Sequence, residues 1–229
     1  MEIKLQKGFT LLELLIVLSV IVILAVALIL VINPAETLKK SRDSQRISDL
    51  TTLKTALGIY TTSKTPVLLD NGTNSTCKSG AGAGTYGAGS KIYYSYPNSA
   101  PGAAITATSL DGGAASVPAP GQVTNANLNN TDGTGWLPVN FGGITGGSPI
   151  SALPADPVNS IAAVGAPTNS DFVYRYVCSS TSLTYEIDVP LESTAYTVDD
   201  NRMSKDGGNN TNYYEVGTNL QLLGTGTNF

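Results

Sequence analysis

The sequence predicts an α+β protein: a long N-terminal helix, half membrane-spanning and half amphipathic, packed on a small antiparallel β-sheet with long Gly-rich loops. Three observations carry this. An apolar run from Phe9 to Ile32 is broken only by Thr10, Glu13 and Ser19. Apolar residues Ile47, Leu50, Leu53, Leu57 and Tyr60 then recur at three- and four-residue steps, the period of a helix face. Beyond Thr65 the composition changes, with 22 of the 24 glycines in residues 65–229, and the apolar segments become short and β-like.

The apolar run, as a helix, would be about 36 Å long against a hydrocarbon core of roughly 30 Å, so it can span a membrane. It reads in three ways. It serves as a plain signal anchor if Glu13 sits near one interface. It serves as a cleaved secretory signal if Lys4 and Lys7 are its basic start and Ala25-Val26-Ala27 its cleavage site, although the run continues well past that point. The third reading accounts for Glu13. The stretch Lys7-Gly8-Phe9-Thr10-Leu11-Leu12-Glu13 resembles the processing site of type IV prepilins and pseudopilins. The resemblance implies a leader, Met1–Gly8, removed by a prepilin peptidase that cuts between Gly8 and Phe9. It also implies N-methylation of the new Phe9 terminus and an assembly role for Glu13, at the fifth place after the cut. Lys39, Lys40, Arg42 and Arg46 follow the span while Lys4 and Lys7 precede it. Counted by the positive-inside rule alone, that favours an external N-terminus, against the resemblance.

The resemblance divides the chain into leader (1–8), transmembrane and filament-core helix (9–33), amphipathic extension (34–64) and extracytoplasmic β-rich head (65–229). Asn33-Pro34-Ala35-Glu36 reads as a fresh helix start, with Asn as N-cap and Pro at the first position, or as a kink in one helix. The resemblance favours a single long, bent helix. On the second half, Arg42, Arg46, Asp49 and Lys54 are expected largely off the apolar stripe.

In the head, residues 98–135 are poor in bulky apolar side chains and read as surface loops. The clearest strand is Leu183–Val189, whose apolar and polar residues alternate, so one buried face is expected. Phe172–Cys178 should pair with it as a hairpin through Ser179–Ser182, and Lys91–Tyr96 and Tyr213–Val216 are further strand candidates. Leu153-Pro154-Ala155-Asp156-Pro157 looks like a segment ahead of the sheet in some pilins and pseudopilins. It also reads as a rigid connector with Asp156 bonding local backbone.

Composition narrows the chemistry. Residues 65–229 carry twelve Asp/Glu against five Lys/Arg, with no basic patch of the kind that phosphate binding uses. The chain has no His, which removes His-dependent triads and the commonest metal-binding imidazole. Gly82-Ala83-Gly84-Thr85-Tyr86-Gly87 matches G-x-G-x-x-G but lacks the preceding strand and following helix of a nucleotide site. The expectation is therefore a protein that assembles and does not catalyse. Calcium is the one cofactor considered, on the oxygen-rich stretch Asp199–Asn210, with Asp199, Asp200, Asn201 and Asp206 as ligands; an ordinary solvated polar turn is the favoured reading of that stretch. Certain major pseudopilins bind calcium in a late loop. Cys77 and Cys178, in an external and oxidising compartment, are expected to pair.

The resemblance implies a homopolymer of pilin subunits, held in membrane lipid as a single-pass precursor of the cytoplasmic membrane before extraction into a surface filament. Adhesion, twitching motility, DNA uptake and protein secretion all use such filaments. A membrane-anchored extracytoplasmic binding protein that never polymerises is the alternative.

Overall fold

The computed structural model describes residues 8–80, 85–98, 104–106, 111 and 118–227, without the side chains of residues 30–32. The leader before Gly8 and the glycines at 82 and 84 lie outside the described residues. The chain forms two compact units, residues 1–39 and 40–229.

The first unit is built on α1 (Leu11–Ile32), 22 residues and so about 33 Å long. Among the described residues it is the one helix long and apolar enough to cross a membrane, over Leu11–Ile29. Its described side chains are all exposed, and Ser19 folds its hydroxyl back onto the Ile16 carbonyl at 2.8 Å, which leaves no free donor on the apolar surface. The helix ends at Asn33, whose φ of 43° and ψ of 78° are left-handed, a conformation Asn tolerates better than most residues. Pro34 then opens α2 (Pro34–Ser63), and the Asn33 side chain accepts the Glu36 amide at 3.4 Å. The fresh helix start is therefore the arrangement observed, and the single continuous helix is corrected. Pro34 has no N–H to extend the ladder of α1, and a left-handed residue precedes it.

The second unit packs α2, from Lys40 onward, against a five-stranded sheet in the order β2-β1-β3-β4-β5. The strands are β1 (Lys91–Tyr94), β2 (Ala119–Gly121), β3 (Arg175–Cys178), β4 (Tyr185–Val189) and β5 (Tyr214–Gly217). β1 pairs in parallel with β2, and the remaining pairs are antiparallel. The sheet is mixed, which corrects the antiparallel expectation. The difference is β2, an Ala-Pro-Gly strand at the sheet edge, within a stretch read as loop. A proline is tolerated there because an edge strand need not donate on both sides. Gly121 is required by the close approach of Tyr93, whose ring would lie 2.3 Å from a Cβ at that position.

Leu50, Leu53, Ala56, Leu57 and Tyr60 of α2 are buried with Tyr174, Tyr176, Tyr185, Ile187 and Val189 from the sheet side. Leu128 and Trp136 also enter this core, the Trp136 indole donating to the Pro154 carbonyl at 2.8 Å. The stretch 98–135 is thus not surface loop throughout. β4 was expected to bury one face, yet all five of its residues are buried. The opposite face of the sheet holds its own cluster, in which Ile92, Tyr94, Val177 and Tyr213 meet Leu222 and Leu223 of the C-terminal segment. Alternation in β4 therefore separates two buried faces, one apolar and one carrying Glu186 and Asp188.

Candidate functional site

Gly8 is exposed, and a Cβ built on it would meet nothing within 4 Å. Phe9 is 79% exposed. Immediately after it, Thr10 is the N-cap of α1, in extended conformation with φ −81° and ψ 149°. Its hydroxyl oxygen accepts the Glu13 amide at 3.2 Å, and the Glu13 carboxylate accepts the Thr10 amide at 3.1 Å and the Thr10 hydroxyl at 3.0 Å. This is a capping box, in which two N-terminal N–H groups without helical partners are satisfied reciprocally. A carboxylate in the first turn also faces the positive end of the helix dipole. In the uncut chain Glu13 is therefore held by its own helix start. Thr10 was read only as a polar interruption, although the spacing Thr10-x-x-Glu13 ahead of an apolar run is the sequence signal of such a box.

A second constellation ties the first turns of α2 in the head unit to distant loops. Arg46 is fully buried and forks onto Asp156, Nε to Oδ2 at 2.6 Å and Nη2 to Oδ1 at 3.1 Å. Its Nη1 donates to Asp43 and to Glu192, each at 2.8 Å. Asp43 accepts the backbone amides of Glu192 at 3.1 Å and Ser193 at 2.7 Å. Arg42 closes the network on Glu192 at 2.6 and 2.7 Å. The Phe172 ring lies 4.4 Å from the Arg46 guanidinium. Burial raises the Glu192 carboxyl, but the hydrogen bonds from Arg42 and Arg46 outweigh it and hold the group below its usual range. The expectation that Arg46 lies off the buried stripe is corrected. Asp43, Arg46, Leu50, Leu53, Leu57 and Tyr60 share one helical face, and the stripe continues in charged residues because carboxylates on the facing loops satisfy the arginine. Asp156 bonds local backbone as well, accepting the Val158 amide at 2.8 Å.

Cys77 and Cys178 are joined in a disulfide across 101 residues, with Cα atoms 4.7 Å apart. It fastens the segment before β1 to the end of β3.

Of the four residues considered for calcium, Asp200 and Asp206 line one surface cavity together with Arg202 and Lys205. Asp200 pairs with Arg202 at 2.5 Å and Lys205 at 2.8 Å. Asn201 caps a 3₁₀ turn by accepting the Ser204 amide, and Asp206 accepts the amides of Gly208 and Glu215. Asp199 closes a π-helical turn, Ala195–Asp199. Among the described residues no three His, Cys, Asp or Glu side chains are placed to hold a metal ion. These residues make a turn closed by local bonds, the chemistry that Asp and Asn bring to loops.

Among known proteins, residues 3–29 match the family model of the prokaryotic N-terminal methylation motif. No curated protein matches the chain. No solved structure matches it. The match covers Gly8, Phe9, Glu13 and most of α1. The long N-terminal helical region followed by a small mixed sheet is an α+β arrangement consistent with a pilin-like fold. The chain therefore carries the prokaryotic N-terminal methylation motif with an apolar N-terminal helix, a combination that fits a type IV pilin-like prepilin leader.

Proposed function

We propose that this protein is a structural subunit of a type IV pilus-like filament, cut by prepilin peptidase between Gly8 and Phe9 and polymerised through α1. The methylation motif, with Glu13 at the fifth place after the cut, carries the reading. Before assembly, α1 holds the precursor in the membrane, and its described apolar side chains, all exposed, are matched to lipid. After extraction the same surface must be covered again, and the helices of other subunits cover it in the filament core. The subunit assembles and does not catalyse.

A carboxylate within lipid costs on the order of a few kcal/mol, so its retention at position 13 calls for a partner. Cleavage creates one, the α-amino group of Phe9. Within one subunit, Glu13 is already engaged by Thr10. In a filament the Phe9 amine of a neighbouring subunit meets the carboxylate as helices stack, which favours assembly and sets axial register. Glu13→Leu should therefore be processed and inserted normally yet fail to enter filaments. Wild-type filament yield from Glu13→Leu would contradict the pairing.

A further inference from the structure

The polar side of β4 faces the C-terminal segment, and two of its contacts lack an ordinary explanation. The Oε2 atom of Glu186 accepts the amides of Leu222 at 2.7 Å and Leu223 at 3.0 Å. On β5, the Oε2 atom of Glu215 accepts the Asn210 amide at 2.9 Å. Asn210 in turn donates to the Gly224 and Gly226 carbonyls at 2.9 and 3.0 Å. The pairing Glu186 with Gly217 and Asp188 with Glu215 makes the two glutamates diagonal neighbours on one face, within reach of long side chains. Among the described residues no donor reaches the remaining oxygens, Oε1 of each, which are buried, and each carboxyl influences the protonation of the other. Two acceptor oxygens form a hydrogen bond only when one carries a proton.

The surroundings disfavour losing that proton. Asp188 on β4 is committed to Arg175 of β3, Nε to Oδ1 at 2.8 Å. Lys78, ahead of β1, donates to the Leu222 carbonyl at 2.7 Å. Asp111 accepts from the Tyr86 hydroxyl at 2.8 Å and from the Gly224 amide, and Asp206, before β5, accepts the Glu215 amide at 2.7 Å. Tyr94 and Tyr213 complete the ring of titratable groups around Arg175 and Asp188. The carboxylates thus outnumber Arg175 and Lys78.

We propose that Glu186 and Glu215 share a proton, and that this proton is a latch fastening the C-terminal segment across the second face of the sheet, released in alkaline solution. Burial is the first cause holding both carboxyls protonated, lifting Glu215 to about 7 and Glu186 well above its ordinary value. The pair titrates as a unit. When its last proton leaves, two buried anions face each other, and the strained partner is the one that holds Leu222 and Leu223.

The test is hydrogen exchange on the full chain in detergent micelles, corrected for the intrinsic pH dependence of amide exchange. Protection of the Leu222 and Leu223 amides should be greatest below about pH 4.5 and fall at least about tenfold between about pH 5 and 9.5, one unit of linkage or more. In E215Q the amide donates to Glu186 without a titrating proton, and protection should stay level over the same range. A level wild-type profile overturns the latch, and so does an E215Q profile that falls in parallel with it. If E215Q does not fold, the wild-type Glu side-chain carbon resonances decide. A midpoint at or above about 7 for Glu186 or Glu215 supports the shared proton, and midpoints near 4.5 for both overturn it.

Discussion

At position 13 the same carboxylate has two possible allegiances, to Thr10 within its own helix and to a terminal amine that exists only after cleavage. The first is on view in the capping box, and it shows how a precursor can hold a charge at the head of an apolar helix. Thr10→Val removes both the cap and the hydroxyl that donates to Glu13. It should cost about 1 kcal/mol at the helix start, seen as roughly fivefold faster exchange of the Glu13 amide in micelles, whereas unchanged exchange would show that the box contributes nothing. Gly8, Phe9 and Glu13 stand out in the sequence because they lie together in the linear N-terminal methylation motif. Arg46 was not. Its place on the helix is evident, but its partners Asp156 and Glu192 lie 110 and 146 residues away, and only the fold brings them together.

Among the elements, helices and the β3–β4 hairpin were legible from local periodicity, while β2 and the C-terminal cover of the sheet were not. Ala119–Gly121 has no strand propensity of its own and exists through its pairing with β1. The full burial of β4 depends on Leu222 and Leu223, more than thirty residues later in the chain. Two connections should dominate the stability of the head. Arg46→Met leaves Asp43 and Asp156 buried without their cation and should destabilise by about 3–5 kcal/mol in urea unfolding; a loss below about 1 kcal/mol would show that the network is dispensable. The Cys77–Cys178 bridge closes a loop of about 100 residues, worth roughly 4–5 kcal/mol in the chain-entropy model. Unreduced protein should show no reactive thiol after denaturation, and two labelled thiols would contradict the bridge.

For the whole molecule, the ionisable groups set opposed limits on stability. Glu192 titrates below its ordinary 4.5 in the folded state, so its contribution is present above that pH and lost as pH falls through the lowered value. Glu215 is raised from 4.5 to about 7, so its contribution is complete below 4.5 and declines as pH rises through about 7. The melting temperature should therefore peak near pH 5 and decline toward both 3 and 8. A maximum at pH 8 would contradict the burial of the Glu186–Glu215 pair. The proposed assembly rests on cleavage at one bond, because only a chain beginning at Phe9 presents the amine proposed to pair with Glu13. Intact-mass and N-terminal peptide analysis of the mature protein, expressed with a prepilin peptidase, measures this directly. The expected product is a chain that starts at Phe9 and bears one methyl group on its terminal nitrogen. A chain starting at Met1 or at Leu28 would contradict it.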